Sequence, residues 1–147
     1  MNKDIEKDIK QLNSFLRGEL SAVETYDQCL EKLENPRLGD TLRDLRQSHL
    51  ERARLLEQKV TQLGGQPSRD TGAWGGFAKL VEKGASVFGE KAAISALEEG
   101  EDHGRDDYRR DLDGLSADCQ AFVRGQIMPE QQRTHDTLSR LKKQLQN

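Results

Sequence analysis

This 147-residue chain has four polar residues, each able to bind a metal ion or a proton, on the predicted apolar faces of its helices. They follow one another as Glu, His, Glu and His, at Glu19, His49, Glu101 and His135. An ionised carboxylate at a core position is strongly destabilising without a partner, so each glutamate needs a cation or a donor nearby. Two carboxylates and two imidazoles in one dry space would suit Fe(II), Mn(II) or Zn(II). These four residues are therefore the candidate metal ligands.

Each glutamate belongs to a short sequence motif that occurs twice in the chain. Glu19 follows a glycine and precedes Tyr26 by seven residues, and Glu101 follows a glycine and precedes Tyr108 by seven. Because a helix returns to nearly the same face after seven residues, each copy of the motif places a carboxylate and a phenol on one side of a helix. The two tyrosines are therefore expected beside the candidate ligands.

The same residues also permit a metal-free interpretation. A buried glutamate can pair with an arginine or accept a hydrogen bond from a buried tyrosine hydroxyl. A histidine on an apolar face is more often a hydrogen-bonded core residue than a ligand. The residues alone leave both interpretations open, with one Fe, Mn or Zn ion bound at most, or none.

Apolar residues at three- and four-residue steps predict four long helices and no strand. The expected helices cover residues of about 4–34, 38–63, 89–115 and 116–145. Asn35 and Pro36 separate the first two helices, and Ser116 is a plausible N-cap for the fourth. Pro129 lies inside the fourth helix, where we expect a kink or a break.

The connection between the second and third helices is the longest, at about residues 64–88. Two helical hairpins joined by such a crossover form an all-α four-helix bundle, here a single domain over residues 1–147. The crossover carries four large apolar side chains, which suggest a short amphipathic helix: Trp74, Phe77, Leu80 and Val81. Because exposed apolar patches commonly mark interfaces, we expect a homo-oligomer, a dimer or larger.

Charge and composition exclude several classes of partner. Hydrophobic and charged residues each make up 33% of the chain, and the net charge is −3, which provides no field for nucleic acid or anionic lipid. No apolar stretch is long enough to span a membrane, so we expect a cytoplasmic protein with neither a nucleic-acid nor a membrane partner. Several arginines are interspersed with acidic residues, and we interpret them as part of a solvated helix face: Arg43, Arg46, Arg52, Arg54, Arg105, Arg109 and Arg110.

Over nearly its whole length the chain resembles the ferritin-like superfamily, with two helical hairpins, a long crossover and an internal duplication. More narrowly, the run Gly100-Glu101-Asp102 before Tyr108 resembles a group of uncharacterised bacterial ferritin-like proteins. The Leu-Gly-Gly-x-Pro exit from the second helix, at residues 63–67, also fits that group. The resemblance implies a fold and no particular activity.

In the di-metal members of that superfamily, the first and third helices each provide a Glu, and the second and fourth each provide Glu-x-x-His. The resemblance matches the four candidate ligands to the terminal carboxylates and the histidines. The bridging glutamates are missing, because their positions hold Arg46 and Gln132. Two cations about 3.5–4 Å apart would then lack the negative charge that holds them together. Arg46 lies on the face of His49 and is expected to reach the inner site and pair with Glu19 or Glu101.

The sequence therefore predicts an uncharacterised ferritin-like bundle with a degenerate inner site. The bundle either has a structural or interaction role without metal, or it binds at most one metal ion. The alternative is a mononuclear Fe or Mn enzyme of the peroxidase or oxidase type, in which Tyr26 or Tyr108 donates a proton or an electron. Whether the protein is an enzyme stays open.

Overall fold

The computed structural model describes residues 2–71 and 89–146. Helix α1 spans Lys3–Lys32, α2 spans Pro36–Gln62 and α3 spans Glu90–Asp111. After a short 3-10 turn at Leu112–Gly114, the fourth helical segment consists of α4 at Ala117–Phe122, a π-helical turn at Val123–Ile127 and α5 at Met128–Gln146. The described residues contain no strand, and the predicted all-α four-helix bundle is confirmed.

The turn between α1 and α2 is built by Asn35 and Pro36. The side-chain oxygen of Asn35 accepts hydrogen bonds from the backbone N–H groups of Arg37 (3.0 Å) and Leu38 (3.2 Å). Pro36 is the first residue of α2, where its missing N–H leaves no helical hydrogen bond unmade. This cap allows α2 to fold back on α1 after a connection of only a few residues, so the two helices form a hairpin.

Ser116 precedes α4, and a carboxylate from α1 holds it in place. The backbone N–H of Ser116 donates to Oδ1 of Asp8 (2.9 Å), and its hydroxyl donates to Oδ2 of the same residue (2.6 Å). Asp8 is only 3% exposed, so these two bonds satisfy a carboxylate that would otherwise be costly to bury. They also tie the beginning of α1 to the beginning of the fourth helical segment.

The disruption expected at Pro129 takes the form of a π-helical turn. The backbone N–H of Met128 donates to the carbonyl of Val123, five residues back, and the helix then continues through the proline. An extra residue in one turn rotates all later positions by about 100° relative to an uninterrupted α-helix. The π turn therefore changes which side chains of α5 face the bundle axis.

A polar layer divides the core into two apolar clusters. The layer contains Glu19, His49, Arg52, Glu101, Gln131 and Thr134, all buried. The cluster on one side includes Leu12, Phe15, Leu16, Leu56, Val60, Tyr108 and Leu112. The cluster on the other side includes Tyr26, Cys29, Leu42, Leu45, Ile94, Leu97 and Leu138. Each cluster contains one of the two tyrosines, so both tyrosine rings pack in apolar surroundings while their hydroxyls reach the layer.

Most of the predicted crossover lies outside the described residues. This part includes Trp74, Phe77, Leu80 and Val81, so the short helix and the homodimer expected from them stay predictions. Within the described residues, no helix combines the length and the apolar composition needed to cross a membrane.

Candidate inner site

His49 lies between the two glutamates and joins them. Its Nδ1 is 2.6 Å from Oε1 of Glu19, and its Nε2 is 2.6 Å from Oε2 of Glu101. The three residues are between 4% and 6% exposed. Because an ionised carboxylate can only accept, both ring nitrogens must donate, and the ring is then a positively charged imidazolium.

Arg52, one helical turn beyond His49, supplies a second cation. It is 1% exposed, and its Nε lies 3.3 Å from Oε2 of Glu19. Its Nη2 lies 2.5 Å and 2.8 Å from the two ring nitrogens of His49 and donates to Oγ1 of Thr134 at 3.3 Å. Two positive charges therefore balance two negative charges within one buried layer.

The two tyrosines connect the two copies of the repeated motif by hydrogen bonds. Tyr26 on α1 donates to Oε2 of Glu101 on α3, at 2.7 Å. Tyr108 on α3 donates to Oε2 of Glu19 on α1, also at 2.7 Å. Each tyrosine thus bonds the glutamate of the other repeat rather than its own. The result is a continuous hydrogen-bonded chain of five side chains: Tyr26, Glu101, His49, Glu19 and Tyr108.

The fourth helical segment contributes neutral groups to the layer. Thr134 donates its hydroxyl to Oε1 of Glu101 at 2.7 Å, and Gln131 donates from Nε2 to the main-chain oxygen of the same residue at 3.3 Å. The spacing between Gln131 and Thr134 equals the spacing between His49 and Arg52 on α2. Both cations of the layer thus come from the first hairpin, and the fourth helical segment adds only uncharged side chains.

The charges of the central residues follow from their mutual contacts. Burial opposes ionisation of Glu19, but Arg52 and His49 outweigh it and lower the pKa of this carboxyl. Burial also opposes ionisation of Glu101, yet His49 foremost, with Arg52 and Thr134, lowers its pKa to about 2. Burial and Arg52 oppose protonation of His49, but the two glutamates raise its pKa overall. The shifts favour the charged forms of Glu19, Glu101 and His49.

The tyrosines are neutral donors to this charged layer. Burial raises the pKa of Tyr26 well above its usual value, and the neighbouring Glu101 raises it further. Burial and Glu19 do the same to the pKa of Tyr108. Neither phenol ionises near neutral pH, so each keeps the proton that it donates to its glutamate.

His135 lies at the edge of the bundle, away from the three central residues. Its Nε2 contacts Oδ1 of Asp102 and lies 3.2 Å from Nη1 of Arg105, while its Nδ1 lies 3.4 Å from Oδ1 of Asp136. Within the described part of the chain, no hydrogen bond connects His135 with Glu19, His49 or Glu101. The structure brings together three of the four candidate ligands, and Thr134 faces the centre where His135 was expected.

Arg46 and Gln132 also lie outside the centre. The Nε of Arg46 is 2.5 Å from Oδ1 of Asp27, and the Arg46 side chain is 31% exposed. Gln132 is exposed and donates to Oδ1 of Asp136 at 2.8 Å. The arginine that reaches the inner site is Arg52, so the expectation that Arg46 would do so is wrong. The interpretation of Arg52 as part of a solvated face is wrong for the same reason.

The position of Arg52 in the sequence is compatible with the buried face of α2. It lies three residues after His49 and four before Leu56, which are both steps of the apolar stripe of α2. A charged side chain at such a position is readily assigned to solvent, because arginine is seldom fully buried unless it is paired. Its two glutamate partners come from other helices and are distant in sequence.

These side chains do not fit a pair of metal ions. The centre offers two carboxylates and one imidazole, but both imidazole nitrogens already donate to those carboxylates. The part of the chain that the structure describes places no bridging carboxylate there, and the guanidinium of Arg52 lies among the donors. In residues 2–71 and 89–146, no three His, Cys, Asp or Glu side chains are placed to hold a metal ion together.

A solved structure with the same architecture supports the class of fold. The crystal structure of ferritin-like, diiron-carboxylate proteins from Bacillus anthracis str. Ames matches with a TM-score of 0.76, covering 97% of this chain and 99% of that chain. At 17% sequence identity this likeness shows the fold alone. The protein is thus a ferritin-like four-helix bundle.

The sequence comparisons then identify the family. Residues 7–113 match the family described as a domain of unknown function (DUF2383), and the chain belongs to it. No curated protein matches the sequence. The predicted membership of an uncharacterised ferritin-like family is confirmed.

Proposed function

We propose that this protein is a metal-independent ferritin-like bundle with a structural or interaction role. In this proposal two side-chain cations, His49 and Arg52, take the place that metal ions hold in di-metal relatives of the fold. The observation that carries the proposal is the position of the His49 ring, which donates one nitrogen to each central glutamate. A ring held in this way has no lone pair left for a metal ion.

Charge supports the same conclusion. A divalent ion would have to remove a proton from His49 and would then lie beside Arg52. The guanidinium cannot lose its proton in a protein, so it must stay as a competing positive charge or leave the core. Leaving is costly because Arg52 is 1% exposed and contacts Glu19 and Thr134 there. Metal binding therefore has to overcome both a bound proton and a fixed cation.

A bundle whose centre is closed by its own ions would act through its surface. The role proposed here is that of a binding or scaffold protein. The homo-oligomer, the cytoplasmic location and the lack of nucleic-acid or membrane partners expected from the sequence belong to this proposal. Light scattering of the purified protein tests the oligomer, and a monomer at micromolar concentration would contradict it.

Metal analysis tests the central proposal. We expect untagged protein, purified without chelator, to contain far less than one transition-metal ion per chain. Its melting temperature should not rise on addition of Fe(II), Mn(II) or Zn(II), since only a ligand that binds the folded state raises it. One ion per chain with metal-dependent melting would contradict the proposal and favour a single-ion site. Turnover of peroxide or dioxygen by the iron-loaded protein would favour the mononuclear enzyme.

A further inference from the structure

We draw no further inference here: the strongest candidate, the surface groove between α2 and α4 that Leu55, Lys59 and Phe122 help to line, carries none, because nothing in the part of the chain that the structure describes shows what covers it.

Discussion

Nη2 of Arg52 lies 2.5 Å from Nδ1 of His49, so two cations touch in the core of this bundle. Such a contact is repulsive by itself, and it is stable only because Glu19 and Glu101 lie against the same pair. The four side chains thus form one electrostatic unit, in which the removal of any member leaves an unbalanced buried charge.

Truncation of Arg52 should destabilise the protein much more than truncation of Arg46. Arg52→Met leaves Glu19 short of a buried partner and should lower the free energy of unfolding by about 3–5 kcal/mol. Arg46→Met breaks a partly exposed pair with Asp27 and should cost less than about 1 kcal/mol. Both residues lie on α2 and both changes are the same, so urea denaturation compares them directly. Equal losses would mean that the buried pair is not a unit.

The crossed tyrosine bonds should be coupled through His49. Tyr26→Phe and Tyr108→Phe each remove a hydrogen bond to an ionised carboxylate and keep the ring, so each should cost about 1.5–3 kcal/mol. Because both bonds end on carboxylates that share one imidazolium, the two losses should depart from additivity by more than about 0.5 kcal/mol. A double-mutant cycle from urea unfolding measures this difference. Simple additivity would show that the hydrogen-bonded chain does not transmit the change.

Stability should fall on both sides of a pH plateau. The pKa of Glu101 is lowered to about 2 in the folded protein, so its contribution is complete above its ordinary value of 4.5 and is lost as the pH falls towards 2. The pKa of His49 is raised, so its contribution is complete below its ordinary value of 6.5 and is lost as the pH rises through the folded pKa. The free energy of unfolding should therefore be greatest between these two ordinary values.

Thermal unfolding over a pH series, with a single-site variant, checks this dependence. His49→Gln should flatten the alkaline limb, because the group that loses its proton there is gone. The parent protein is the reference, and the same slope in the parent and the variant would assign the alkaline loss to other groups.

Two double variants test which positions of the bundle face its centre. Arg52→Glu with Thr134→Glu places two added carboxylates beside Glu19, His49 and Glu101, so the variant should be less stable without metal and should be stabilised by Mn(II) or Fe(II). Arg46→Glu with Gln132→Glu adds the same charges outside the centre and should show no metal dependence. Melting temperature against metal concentration measures both. Metal-dependent stabilisation of the outer variant would contradict the positions described here.

The helices, the hairpins and the fold family could be predicted from the sequence because they depend on local patterns. Apolar spacing defined the four helical segments, and Asn35 and Pro36 marked the first turn. The two copies of the repeated motif also identified Glu19 and Glu101 as polar residues on the apolar faces of their helices. The structure shows hydrogen bonds that join both to His49, whose own position on a stripe was visible in the sequence.

Only the tertiary structure decided which arginine reaches the inner site. Arg46 and Arg52 lie three residues before and three residues after His49, so each is rotated by about 60° from it, in opposite directions. Periodicity cannot separate two such positions, because they are equally close to the stripe. The choice depends on which side of α2 faces α1 and α3, and that follows from the packing of the whole bundle.

The same holds for His135, whose position on the fourth helical segment depends on the π-helical turn at Val123–Ile127. Proline at 129 indicated a disruption but not its form, and a kink, a break and an added residue rotate the following helix differently. The packed core favours the arrangement in which Gln131 and Thr134 reach Glu101 and His135 contacts Asp102. Helix type is local, but the rotation of one helix about its axis is settled by the contacts it makes with the other three.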